Sequence, residues 1–272
     1  MILTDSHMHT AFSDDSDTPM EEMIQESIRR GFTSICFTDH YDIDFPELFD
    51  DIDFSLDTTS YLQEFHRLKE QYGKEIDLRI GVELGMMPDT GHKLHQYLQE
   101  YKDSFDFIIG STHLVDRMDP YLPEYFSRYP NETDGIRRYF QENLLNLYSF
   151  DGMDSFGHFD YVVRYAPHKD LYYKPSDYTD LIDLFLKAII QKGIALELNT
   201  AGLKYGLTQA NPHIEILKRY KALGGELLTI GADGHKPDQI GWDYKQADAI
   251  LKEAGFAYYT IYRQRKPEMI RL

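Results

Sequence analysis

One cysteine, Cys36, stands among 272 residues, which excludes a disulfide framework and a multi-cysteine zinc site. No apolar run approaches the roughly 18 residues that a membrane span needs. The opening stretch, MILTDSHMHTAFSDDSD, lacks the charged and apolar regions of a secretory signal. No basic cluster interrupts a chain with 28 Lys and Arg against 46 Asp and Glu, a net charge of −18. That balance argues against nucleic acid and against an anionic membrane surface as partners. The expectation is a soluble cytoplasmic protein. What is present is a 42% share of hydrophobic residues, enough for a large core and too many for a disordered chain.

Short β-rich apolar runs alternate with longer segments of helical period. Strands are expected at residues 2–5, 34–38, 78–82, 107–109, 155–157, 194–198 and 227–230, with an eighth at 257–262. Unbroken apolar runs such as Ser-Ile-Cys-Phe mark strands buried on both faces, as in a parallel sheet. Thr18, Pro19 and Glu21 read as the capping start of a helix that Gly31 ends. Asn211 and Pro212 read as the opening of another, closed by Gly224 and Gly225. Further helices are expected at 60–72, 92–101, 135–148 and 176–192. Seven strand–helix alternations without a break in composition point to one α/β domain, residues 1–272, built as a closed or nearly closed parallel barrel. An open doubly wound sheet is the rival. The longest irregular segments, 41–59 and 115–133, carry aromatics, prolines and acids, which suits a lid.

Six of the 11 histidines fall at expected strand ends. His7 and His9 follow the first strand, His40 the second, His113 the fourth, His158 the fifth and His235 the seventh. Glu83 ends the third strand, and Asp233 stands two residues before His235. A parallel barrel gathers its strand C-termini on one face, where active sites are built. In His7-x-His9 both imidazoles point to the same side of an extended chain and can chelate one ion. Asp233-x-His235 has the same geometry. Imidazole with carboxylate suits Zn²⁺, Mn²⁺ or Fe²⁺, and a carboxylate such as Glu83 can bridge two ions. A lone strand-end histidine is usually a satisfied polar residue, but six converging on one face are not explained that way. His66, His92, His95, His168 and His213 lie elsewhere and are assigned no role. Cys36 reads as a core residue.

In these motifs the chain resembles the polymerase and histidinol phosphatase (PHP) family. His7-x-His9, Asp39-His40, Glu83, His113, His158 and Asp233-x-His235 follow in family order across nearly the whole sequence. The stretches GHFDYVVRY, which contains His158 and Arg164, and ELNTAGLK, which contains Glu197 and Lys204, look like the histidinol-phosphate phosphatase branch. The resemblance implies a distorted (β/α)₇ TIM-like barrel with three divalent ions at the strand C-termini. It implies His7, His9, Glu83 and Asp233 on the first ion, and Asp15, His40 and His235 on the second. Glu83, His113 and His158 would hold the third. Asp14 and Asp17 compete with Asp15 for its place.

The implied activity is hydrolysis of L-histidinol phosphate in histidine biosynthesis. A water bridging two dications loses its proton near neutral pH and can attack phosphorus. Asp233 and His235 are candidates for protonating the leaving oxygen. Arg164, Lys204 and Arg117 are candidates for binding phosphate oxygens, and Asp5 and Asp39 for orienting ligand imidazoles. The acidic, aromatic segment 41–59 favours a cationic amine substrate. Two alternatives remain at this stage. One is a PHP phosphoesterase for a nucleotide, sugar phosphate or phosphotyrosine. The other is a non-catalytic metal-binding accessory protein.

Overall fold

The computed structural model describes residues 2–49 and 52–272. Its sheet strands are β1 (Thr4–Asp5), β2 (Ser34–Phe37), β3 (His40–Asp42), β4 (Asp77–Gly85), β5 (Phe107–Ser111), β6 (Ser155–Phe156), β7 (Ala195–Asn199) and β8 (Leu228–Gly231). All pair in parallel in the order β1-β2-β4-β5-β6-β7-β8, and β3 continues along β4 beyond the end of β2. β2, β5, β7 and β8 are buried at every position, as their unbroken apolar runs require. The sheet closes on itself past the ends of β1 and β8. There the Ser6 N–H donates to the Ile230 carbonyl (3.0 Å), Asp233 N–H to His7 (2.9 Å) and His9 N–H to Gly234 (2.9 Å). The result is a distorted seven-stranded parallel barrel, not an open sheet.

The helices around it are α1 (Met20–Arg29), α2 (Thr58–Tyr72), α3 (Gly91–Tyr101), α4 (Pro123–Ser127), α5 (Glu132–Ser149), α6 (Thr179–Lys192), α7 (Ala201–Lys204), α8 (Ile214–Ala222) and α9 (Tyr244–Glu253). α2 and α5 start under side-chain caps, Asp57 accepting from Ser60 N–H and Asn131 from Asp134 N–H. α6 ends on the left-handed Gly193. It starts later than residue 176 because Pro175–Tyr178 winds as a tighter 3₁₀ turn. α1 buries Met20, Met23 and Ile24 against the barrel.

The eighth strand is found where it was expected, and two other expectations about these elements are corrected. The eighth strand forms, as β9 (Tyr258–Arg263), but it pairs antiparallel with β10 (Lys266–Arg271) outside the barrel sheet. Gln264 and Arg265 both take left-handed backbone, and that tight turn folds the chain back before it can join β8. The hairpin packs across the N-terminal ends of the barrel strands, with Tyr262 stacked on Phe107 at 5.2 Å and its hydroxyl donating to the Asp154 carbonyl. Thr18 does not cap α1, because its hydroxyl donates to the His235 carbonyl instead (2.9 Å). Asn211 does not open α8. Its backbone pairs with Asn199 in both directions, and α8 starts at Ile214 after the His213 ring accepts the Glu215 N–H.

Candidate metal centre

The strand C-termini deliver the acidic and imidazole side chains to one point. Glu83, fully buried on β4, lies at its middle. Its Oε2 faces His7 Nε2 (3.1 Å), His9 Nε2 (3.5 Å) and His40 Nδ1 (3.0 Å). Its Oε1 faces His113 Nε2 (3.2 Å) and His158 Nε2 (2.9 Å). One carboxylate thus divides its two oxygens between two sets of imidazoles. Burial opposes charge on Glu83, but His7, His40 and His113 outweigh it and hold the carboxyl well below the usual range.

Asp233 stands on the other side of His7 and His9, its Oδ1 3.4 Å from His9 Nε2 and 4.0 Å from His7 Nε2. Asp15 Oδ2 lies 2.9 Å from His235 Nε2 and 3.6 Å from His40 Nε2. Of the three neighbouring acids, Asp15 is the one set against these imidazoles. Asp14 is spent on the loop instead, accepting the N–H groups of Asp53 and Phe54 (3.0 and 2.9 Å), and Asp17 is exposed. The structure therefore brings all nine sequence candidates for the centre together.

The side chains that aim these groups were missed. His7 Nδ1 lies 2.6 Å from Glu197 Oε1, and the other oxygen of Glu197 accepts the His158 N–H (2.7 Å). His113 Nδ1 lies 2.7 Å from Asp42 Oδ2. Burial disfavours the His113 imidazolium, but Asp42 and Glu83 outweigh it and push its pKa up to about 10. A carboxylate inside the apolar run Ala-Leu-Glu-Leu-Asn was the available signal for Glu197. Asp5 and Asp39, the sequence choices for this task, grip backbone and hydroxyls. Asp5 accepts from Ala232 and Gly241 N–H (3.1 and 3.0 Å), and Asp39 from Thr10 N–H and Ser13 Oγ (2.6 and 2.9 Å).

The three basic candidates separate. Arg164 is buried and lines the cavity over the centre. It donates to Asn211 Oδ1 (2.8 Å), Asn199 Oδ1 (2.9 Å) and Asp233 Oδ2 (3.2 Å). Lys204 is turned away from the cavity and braces the Asp233 carbonyl (2.8 Å). Arg117 is half exposed, paired with Asp89 (2.6 Å), and is not among the residues that line the cavity. It also donates to the Asp44 carbonyl (3.4 Å). Among the unassigned histidines, His66, His92, His95 and His168 are exposed, and Cys36 is buried, its thiol pushed up to about 12 by that burial.

A divalent metal fits these residues. His7 Nε2, His9 Nε2, His40 Nδ1, His235 Nε2 and Glu83 Oε2 are buried yet lack a hydrogen-bond partner. Polar atoms buried without partners are costly, and a cation is what this donor set accepts. Ligand atoms converge within 4.8 Å in the groups His7/His9/Asp233, His9/His40/His235 and Glu83/His113/His158.

A parallel barrel with a histidine–carboxylate centre at its strand C-termini defines a metal-dependent hydrolase-type scaffold. Residues 5–201 match the PHP domain model, and the chain belongs to that family, in its histidinol-phosphatase branch. It is 32% identical over 252 residues to the histidinol-phosphatase of Lactococcus lactis, covering 93% of this chain and 91% of the relative. It is 33% identical over 248 residues to a probable histidinol-phosphatase of Clostridium acetobutylicum, covering 90% and 91%. A crystal structure of the Lactococcus lactis histidinol phosphate phosphatase with zinc, L-histidinol and phosphate superimposes with a TM-score of 0.87. It shares 29% identity and covers 98% of this chain and 99% of that one. Among the described residues no helix is long and apolar enough to cross a membrane.

Proposed function

We propose that this chain is a metal-dependent phosphomonoesterase that hydrolyses L-histidinol phosphate to L-histidinol and phosphate. The observation that carries the reading is the near full-length likeness to a structure holding zinc, L-histidinol and phosphate. The reading treats residues 1–272 as one domain acting on a small phosphorylated substrate.

Three divalent ions are proposed. His7, His9, Glu83 and Asp233 would hold one, Asp15, His40 and His235 a second, and Glu83, His113 and His158 a third. The division of Glu83 between two imidazole sets supports a bridging role. Such ions lower the pKa of water and neutralise phosphoryl charge when bound. The protein's own groups do the rest. Glu197 and Asp42 fix the His7 and His113 rings through their Nδ1 atoms. Arg164, its fork held by Asn199 and Asn211, is the proposed binder of phosphoryl oxygens. Asp233 and His235 both line the cavity and are the proposed proton carriers for the leaving alkoxide. The aromatic side chains of 41–59 restrict water, Phe45, Phe49 and Phe54 all facing the cavity.

The test is a substrate panel with protein loaded with Zn²⁺ or Mn²⁺. L-histidinol phosphate should be preferred, with kcat/KM above roughly 10⁴ M⁻¹s⁻¹. A chelator should abolish turnover, and either ion should restore it. Turnover far below that figure, with another phosphoester preferred, would reject the substrate and keep the hydrolase class.

A further inference from the structure

Arg164 is buried, and three residues hold its guanidinium. A guanidinium carries five N–H groups. Nε donates to Asn211 Oδ1 (2.8 Å), Nη2 to Asn199 Oδ1 (2.9 Å) and Nη1 to Asp233 Oδ2 (3.2 Å). One N–H on each terminal nitrogen is left for a ligand in the cavity that Arg164 lines. The ring centres of Tyr161 and Tyr205 lie 5.2 and 5.4 Å from the guanidinium carbon.

Asn211 accepts from Arg164 only if its amide is turned one way. Its Nδ2 then points to Asp160, donating to Oδ1 (2.6 Å) and to the backbone carbonyl (3.3 Å). Asp160 Oδ2 accepts the His213 N–H (2.9 Å). Oδ1 and the carbonyl are both acceptors, so they leave the Asn211 amide a single orientation. Asp160 and Asn211 are each 1% exposed, so bulk water does not compete for these bonds. The amide is also packed against Gly202, where a Cβ would come within 2.6 Å of Asn211 Oδ1.

Asp160 stands just before the 3₁₀ turn Tyr161–Tyr165 that carries Arg164, a place where an aspartate ordinarily caps the turn. Its side chain makes no capping bond there. It reaches instead to residues 211 and 213, across 51 and 53 positions of sequence. Hydrogen bonds linked in a chain polarise one another, and each fixes the direction of the next. We infer that Asp160 is a positioning residue for the phosphoryl-binding arginine. It fixes the Asn211 amide so that the amide oxygen holds Arg164 Nε and the two remaining N–H groups serve the cavity. Asp160 and Asn211 do not line the cavity, so the effect passes through Arg164. This rests on the role of Arg164 in the proposed function and adds what holds that residue in place.

The test variant is D160N, which keeps the shape and reverses one hydrogen bond. The new amide oxygen can keep the His213 N–H, but its NH₂ then faces the NH₂ of Asn211. If Asn211 turns over, its NH₂ faces Arg164 Nε. Either way one donor meets another. The double variant D160N/N211D restores a complete chain, with the amide at 160 donating to a carboxylate at 211 that accepts from Arg164. Calorimetric titration of the full-length, metal-loaded protein with inorganic phosphate should show Kd rising about 10-fold in D160N, the scale of one hydrogen bond to a charged group. Metal per chain should stay at the wild-type value, and D160N/N211D should recover most of the phosphate affinity. In an R164A background D160N should change Kd by less than about twofold, because its route is already cut. A D160N protein with wild-type phosphate affinity overturns the inference, as does one that has lost metal. So do a double variant no better than D160N and a 10-fold loss that persists in R164A. Phosphate is titrated without substrate, so a wild type that ignores L-histidinol phosphate overturns the proposed substrate and leaves this inference to be decided by the titration.

Discussion

Glu83 is the residue on which most of the centre depends. Five imidazoles face its two oxygens, so neutralising it removes a shared partner from both sides. E83Q is expected to lower kcat/KM by on the order of 10³-fold and to reduce bound metal per chain, read by elemental analysis. Glu197 touches no ligand-free atom of the centre but holds the Nδ1 of His7. E197Q should weaken metal retention about 10- to 100-fold in a chelator titration. Arg164 and Arg117 make a matched pair. R164A should cost on the order of 10²-fold in kcat/KM, since a charge-assisted contact to phosphate is lost, whereas R117A should fall within about twofold of the wild type by the same scale. The candidate ligands were legible in sequence because His, Asp and Glu recur after successive apolar runs. Glu197 and Asp42 were not, because a residue that acts by touching another residue's far nitrogen leaves no spacing motif of its own.

Elements were legible where a single local rule decides them. β2, β5 and β7 announced themselves as short apolar runs, and α3 and α6 by their apolar period and, for α6, a terminal glycine. Two failures have one cause, a long-range partner outbidding a local one. Thr18 carries a capping sequence, yet the carbonyl of His235 takes its hydroxyl. Asn211 stands before a proline as a helix opening does, yet its backbone pairs with Asn199 instead. β3 was missed because three residues carry no period. Its placement against β4 depends on Gly85, where any Cβ would collide with the Asp42 carboxyl. G85A is therefore expected to displace Asp42 from His113 and destabilise the protein by about 1–3 kcal/mol. A lower Tm together with reduced metal content would mark this outcome. A lower Tm alone would mean that the Asp42–His113 contact survives.

Across the whole molecule, the stability of the ligand-free protein depends on pH through Asp119, which is buried with no ion-pair partner among the described residues. Its folded-state pKa, about 6, stands above the ordinary 3.8, so the native state holds the proton more tightly than the unfolded chain. The contribution is therefore full below about pH 4 and is lost as pH rises through about 6. D119N should stabilise the ligand-free protein at pH 7.5 by up to about 3 kcal/mol, seen as a higher Tm than the wild type's at that pH and no gain at pH 4.

The barrel closes where residues 6–9 meet 230–234, and that seam also carries His7, His9, Asp233 and His235. Asp5 and Ala232, which fasten it, are 227 residues apart in the chain. At about 5–20 residues per second, a ribosome makes the second half of the seam roughly 10 to 45 s after the first. During that interval the nascent His7-x-His9 pair is a two-imidazole ligand with neither Glu83's partners nor Asp233 complete around it. The order of synthesis thus places completion of this seam after residues 230–235 have been made, and ties it to side chains that have waited since residues 6–9.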